Sequence, residues 1–175
     1  ECNNKALSEC RTDYITFQNG LARLNPKFVM RHYLSLAGKD QYGFSASPVA
    51  RFDGERVTEY SYTALCYRGD IERTRVSGEN FSFALDLFFA NKLFRTEHLR
   101  GIRFSFSDSP IIDMYKLYSH SRFKKLPNTG VYLPFSEQQT VEYFLGEKKN
   151  MPSGAVALYK SYKRLVFRNI KLKET

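Results

Sequence analysis

Along the first twenty-four residues, Leu7, Cys10, Tyr14, Phe17, Leu21 and Leu24 recur at three- and four-residue steps. That spacing predicts one amphipathic helix, ended by Asn25-Pro26, because proline lacks an amide hydrogen and clashes with the preceding turn. The same dipeptide starts a second helix, with Asn25 as N-cap and Pro26 in the first helical position. Phe28, Val29, Tyr33 and Leu36 then line one face, and Gly38 closes it. His32 sits among them and reads as a hydrogen-bonded histidine at the edge of a core.

After Gly43 the period changes to two. Phe81, Phe83, Leu85, Leu87 and Phe89 alternate with Ser82, Ala84 and Asp86, and Ile102, Phe104 and Phe106 alternate with Arg103, Ser105 and Ser107. Both stretches predict half-buried strands. A hairpin at Asp53-Gly54 joins a strand near Pro48–Phe52 to another over residues 56–68. Further strands fall around Val131–Phe135, Ala155–Tyr159 and Leu165–Leu172. Two short helices interrupt them. One follows Asp108-Ser109-Pro110 and carries Ile111, Tyr115 and Tyr118 on one side. The other opens with a capping box between Ser136 and Gln139 and buries Val141, Phe144 and Leu145.

These elements predict an α+β fold: an N-terminal helical pair packed on a mainly antiparallel β-sheet, with two short helices inserted. No linker divides the chain, so residues 1–175 read as a single domain, with a helical lead segment over 1–40 and a β-rich body over 41–175. Its longest apolar run is far short of the ~20 residues a membrane-crossing helix needs. The chain opens on Glu1, which reads as a processed form or a fragment.

Charge changes the picture. The net charge is +9, and all of it lies in the second half: residues 1–90 balance 11 basic against 11 acidic side chains, whereas 91–175 carry 16 against 7. Lys160, Lys163, Arg164, Arg168, Lys171 and Lys173 fall together with no acid among them. Lys116, Arg122, Lys124 and Lys125 cluster around His120, and Lys92, Arg95, Arg100 and Arg103 around His98. Such a field attracts polyanions: nucleic acid, an anionic surface or an acidic protein. Tyr115, Tyr118, Phe123, Tyr159, Tyr162 and Phe167 interleave with the cations, and bases of a single strand stack on such rings.

The chemistry is chosen partly by exclusion. The sequence has no GxxxxGK[ST] or GxGxxG loop, no HExxH, no CxxC and no GxSxG elbow, so neither a metal site nor a bound cofactor is expected. Cleaving RNA without metal needs a base for the 2′-hydroxyl proton, an acid for the leaving oxygen and cations around the phosphorane. His98, His120 and Arg122 are the catalytic candidates. Lys116, Lys124, Lys125, Lys160, Lys163, Arg164 and Arg168 are the candidates for holding the nucleic acid. Nearby cations are expected to lower the pKa of both imidazoles.

A second set of residues points elsewhere. Tyr67-Arg68-Gly69, at the end of a predicted strand, resembles the YRG start of arginine-type ADP-ribosyltransferase toxins. The resemblance implies that Arg68 holds a nicotinamide dinucleotide, that Ser105-Phe106-Ser107 supplies the serine strand, and that Glu137 or Glu142 polarises the ribose. Neither glutamate has a Glu or Gln two positions before it, as the family's does. A third reading is a non-enzymatic module that docks an acidic protein, such as an inhibitor.

Cys2 and Cys10 can close a small disulfide loop if Cys2 is not helical, while Cys66 reads as a buried strand thiol. A basic, compact chain with a helical, cysteine-bearing lead segment has the general look of a toxin domain. The leading expectation is therefore a nucleic-acid-directed protein, a toxin-like RNase that works without metal.

Overall fold

A computed structural model describes residues 2–18, 20–60, 88–102, 110–136, 139 and 160 of the chain. Within them the order is α1 (Cys2–Glu9), β1 (Tyr14–Ile15), β2 (Arg23–Leu24), α2 (Phe28–Leu36), β3 (Phe44–Ala46), β4 (Val49–Phe52), β5 (Val57–Glu59), β6 (Lys92–Arg95), α3 (Thr96–Arg100), α4 (Pro110–His120), β7 (Phe123–Lys125) and β8 (Val131–Leu133). The class is α+β. The strands form two four-stranded mixed sheets, ordered β1-β6-β3-β7 and β2-β8-β4-β5.

The pairing is mainly antiparallel, as expected, but the expected single sheet is two sheets, each with one parallel pair. The reason lies in how the chain crosses between them. β3 runs through Ser47-Pro48 into β4, taking the chain from the first sheet to the second. β7 and β8 make the same crossing in the same direction, so β3 pairs parallel with β7 and β4 with β8. The crossing is pinned by hydrogen bonds. Asn91 Nδ2 donates to the Ser47 carbonyl at 2.6 Å, and the Gly130 amide donates to the Pro48 carbonyl at 3.0 Å.

Residue alternation divides the first sheet into two faces. Phe94, Phe44 and Phe123 are register partners on β6, β3 and β7. The Phe44 and Phe123 rings stack at 5.1 Å and 8°, and Phe94 lies 5.6 Å from Phe44. Tyr118 of α4 meets Phe44 and Phe123 edge-on at 5.5 and 4.9 Å. Ser45 and Leu93 point the other way, toward α2. The sheet is therefore clad by a helix on each side.

The helix predicted over residues 7–24 is corrected. It stops at Glu9; Tyr14–Ile15 instead adds an edge strand to β6, and Arg23–Leu24 joins β8. Leu7 and Phe17 are buried, Tyr14 is half-buried and Leu21 is 58% exposed, which no single helical face would give. Local periodicity lost to strand pairing: the open edge of β6 offers hydrogen bonds and core contacts that a solvated helix would lack. The expected pair of helices is therefore a short α1 packed on α3, and α2 packed on β3 and β6.

The second helix is shifted and rotated relative to expectation. It begins at Phe28 with Lys27 at the N-cap. Asn25 and Pro26 form the turn before it, where Asn25 Oδ1 accepts the Lys27 amide at 3.0 Å. Phe28, His32 and Leu36 form the buried stripe, whereas Val29 and Tyr33 are exposed. Gly38 follows with φ +67°, as the predicted stop requires.

The Asp53-Gly54 hairpin, the helix after Asp108-Ser109-Pro110 and the strand near Val131 stand as expected. So does the capping box: the Ser136 amide donates to Gln139 Oε1 at 3.1 Å, and the Gln139 amide to Ser136 Oγ at 3.2 Å. Most of the predicted 81–89 strand and those at 102–107, 155–159 and 165–172 lie outside the described residues, as do Cys66 and the apolar face expected at Val141, Phe144 and Leu145. So does the outer part of residues 56–68. Phe88 and Phe89 belong to the loop that enters β6, and Ile102 to a bend after α3.

His32 is only 1% exposed. Its Nδ1 meets Ser45 Oγ at 2.7 Å, its Nε2 has no hydrogen-bond partner among the described residues, and burial pushes its pKa down to about 3. The native imidazole stays uncharged where the unfolded one takes up a proton, so the unfolded chain binds more protons between pH 6.5 and about 3. The stability from this site is complete above pH 6.5 and is lost as the pH falls through that window. Chemical denaturation should show about 1.4 kcal/mol lost per pH unit from this one group. His32→Leu should remove that share of the slope, leaving Ser45 its weaker contact to the residue 32 carbonyl. Phe44→Ala, at the centre of the aromatic row, should cost ~3–5 kcal/mol in the same assay.

Candidate functional site

The described chain brings together two of the three histidines. His98 lies on α3, a five-residue helix that continues directly from β6, and His120 is the last residue of α4. They are 22 positions apart in sequence and line one cleft of about 420 Å³ with Gly101, Ile102 and Lys116. On its other side His98 also lines a second cleft of about 640 Å³, with Arg11, Asp13, Arg95, Glu97 and Arg100 among its walls.

Each imidazole has a defined partner. His120 Nδ1 lies 2.8 Å from the Lys116 carbonyl one turn earlier, and a carbonyl only accepts, so Nδ1 carries a proton. His98 Nε2 lies 2.6 Å from Ser121 Oγ, a hydroxyl with no exposure at all. Burial first, and the neighbouring His120 second, hold the His98 pKa below its ordinary value. The direction is the expected one, but desolvation rather than surrounding lysines causes it.

Gly43 completes the seat. A Cβ built there would fall 2.3, 2.4 and 2.7 Å from His98 Cδ2, Nε2 and Cγ, so the ring rests directly on the glycine backbone. That backbone is fixed on both sides: the Gly43 amide donates to the Arg122 carbonyl at 2.9 Å, and its carbonyl accepts the Arg95 amide at 2.9 Å. Neither Gly43 nor Ser121 was legible as a site residue. A glycine opening a strand and a serine after a helix carry no signal until the fold places a ring between them.

The basic clusters fare unequally. Lys116 lines the imidazole cleft, with Asp113 Oδ1 4.0 Å from its ammonium. Arg122 is exposed and is not among the lining residues. Lys124 is half-buried, and Lys125, 7% exposed, is drawn inward with its ammonium 5.8 Å from the Phe123 ring centre. Lys92 is fully buried: its ammonium donates to the Phe88 carbonyl and, at 2.9 Å, to Asn91 Oδ1, and lies 5.7 Å from the Tyr118 ring. Arg95 is anchored to Asp40 at 3.1 Å and to the Leu36 and Tyr42 carbonyls. Of the cluster expected around His98, Arg100 is exposed, Lys92 and Arg95 are tied to fixed partners, and Arg103 lies outside the described residues. Lys92 and Arg95 lie on opposite faces of β6, the first buried beneath Tyr118 and the second half-buried against the Leu36 and Tyr42 carbonyls.

Lys160 is exposed. Lys163, Arg164 and Arg168 lie outside the described residues, as do Arg68, Ser105, Glu137 and Glu142 of the transferase reading. Cys10 is a free thiol, held at 3.2 Å by Thr12 Oγ1, whose hydrogen bond lowers its pKa more than its slight burial raises it. Cys2 opens α1, which carries the chain seven helical steps of ~1.5 Å to Glu9 before Cys10, farther than the ~7 Å Cα separation a disulfide tolerates. Among the described residues no three His, Cys, Asp or Glu side chains gather as a metal site would need, and no helix is long and apolar enough to cross a membrane.

No protein-family model matches this chain, and no curated protein does. The reading of the cleft therefore rests on its own chemistry.

Gly43→Ala should force the His98 ring to move and cost ~1–3 kcal/mol in denaturation, the usual range for overpacking. Gly101→Ala is the control. Its Cβ would meet nothing nearer than the His98 carbonyl at 3.4 Å, and its φ of −72° is ordinary, so it should be close to neutral.

Proposed function

We propose that the chain is a nucleic-acid-directed protein of toxin-like character that cleaves RNA at the His98–His120 cleft without a metal. The observation that carries this reading is the meeting of two imidazoles and an ammonium, from α3 and α4, around one open cleft. Attack of a ribose 2′-hydroxyl on its neighbouring phosphate needs a proton acceptor. It also needs hydrogen-bond donors for the crowded phosphorane and a proton for the departing 5′-oxygen. His98, His120 and Lys116 are groups of the right kind, and proton transfer plus electrostatic stabilisation are each worth several powers of ten in rate.

The basic excess of residues 91–175 supports the choice of a polyanion as substrate. The exposed Lys160 begins the acid-free C-terminal run in which Lys163, Arg164 and Arg168 follow. In this reading the run tracks the phosphate backbone and supplies affinity, while the cleft supplies chemistry.

The test separates the two roles. With labelled RNA in the presence of a chelator, His98→Ala and His120→Ala should each lower the rate by ~10²-fold or more and leave affinity nearly intact. Lys163→Glu with Arg164→Glu should do the reverse. It should weaken binding to all sequences alike and flatten the salt dependence by ~0.7 in log–log slope for each phosphate no longer held. Transfer from a labelled nicotinamide dinucleotide that depends on Arg68 would replace the reading with a transferase. Turnover of neither substrate would leave a module that docks an acidic protein.

A further inference from the structure

The two imidazoles are not equivalent, and their hydrogen-bond partners say how they differ. At His120 the partner of Nδ1 is a backbone carbonyl, which cannot donate. The uncharged ring therefore keeps its lone pair on Nε2. At His98 the partner of Nε2 is a hydroxyl, which can do either. Ser121 is wholly buried, and its Oγ has no other hydrogen-bond partner among the described residues. A hydroxyl has one proton and two lone pairs. If Ser121 accepted from His98, its own proton would be stranded in the interior. If it donates, its proton is satisfied and only its lone pairs go unused, which costs less. Ser121 therefore donates to Nε2, and the proton of His98 sits on Nδ1. That nitrogen has no hydrogen-bond partner among the described residues.

We infer that Ser121 and Gly43 are positioning residues that hold His98 in the tautomer with its proton on Nδ1, as a hydrogen-bond donor to the substrate phosphate, and that His120 is the base. The inference rests on the RNA-cleavage reading and divides its labour. His120 Nε2 takes the 2′-hydroxyl proton as the 2′-oxygen bonds to phosphorus. His98 Nδ1–H donates to a non-bridging oxygen of the phosphorane. The bond from phosphorus to the 5′-oxygen breaks, and the leaving oxygen takes a proton from the Lys116 ammonium. Proton exchange with water restores His120 and Lys116, and the products are a 2′,3′-cyclic phosphate and a free 5′-hydroxyl. The depressed pKa of His98 agrees with this role, since an imidazole that donates without charging needs only to keep its one proton in place.

Nitrogen-15 spectra of the full chain with labelled histidine read the tautomer directly, with no substrate present. His98 should show a protonated Nδ1 and a bare Nε2. Ser121→Ala should lose that bias, and so should Gly43→Ala, which pushes the ring off its seat. A His98 protonated on Nε2, or a tautomer unchanged in Ser121→Ala, overturns the inference whether or not RNA is cleaved.

Kinetics supply the second arm. Asn keeps an N–H where His98 has Nδ1, so His98→Asn should stay within about tenfold of the parent while His98→Ala loses ~10²-fold or more. His120→Asn should be no better than His120→Ala. Equal losses in His98→Asn and His98→Ala would overturn the donor role. Absence of RNA cleavage in every form would remove the reaction and leave the tautomer to be decided by the spectra.

Discussion

The row Phe94–Phe44–Phe123 governs the rest of the structure. These three rings lie side by side across β6, β3 and β7, and Tyr118 packs edge-on against two of them. Each ring stands next to a residue that builds the cleft. Gly43 precedes Phe44, Ser121 lies two residues before Phe123, and His98 follows Phe94 by four. A slip of one residue in any of the three strands would turn its ring out of the core and move its site residue by more than 3 Å. Hydrophobic register thus sets the geometry of a polar site.

How much of this was legible in the sequence depends on the range of the interaction concerned. Turns and caps are local, and most stand as read: the Asp53-Gly54 hairpin, the Gly38 stop and the reciprocal bonds of Ser136 and Gln139, though the cap expected at Asn25 falls at Lys27. Residues 7–24 misled because a three- and four-residue spacing of apolar side chains is ambiguous when strand pairing is on offer. Ile15 pairs with Phe94, a partner 79 positions away. The phase of α2 misled for a related reason. His32 is hidden because Ser45 waits to bond it, and no pattern within residues 28–36 reveals that. His98 and His120 stand out in the sequence because each lies within a basic cluster, and the cleft brings the two together. The seat beneath His98 depends on three separate segments, which is why it had no signature.

The charge count also needs rereading in three dimensions. A run of basic residues looks like a surface field, yet Lys92 and Lys125 commit their ammonium groups to carbonyls and aromatic faces inside the first sheet. In the third row of that sheet they flank Ala46, and a small residue between two long ones makes room for both stems. Such cations contribute to internal order and little to long-range attraction, because burial ties each to fixed partners. The field available to a polyanion is accordingly narrower than the formal charge suggests.

The contact between Gly43 and His98 leaves a mark that can be read across evolution. Positions 43 and 98 share one volume, and only one of them can fill it. In a divergent copy of this fold, a ring at 98 demands glycine at 43, whereas any side chain at 43 demands that residue 98 shrink or leave the cleft. The two columns of an alignment would change together or not at all. A lineage that had abandoned the chemistry would announce it at the glycine, a residue with no reactive group of its own.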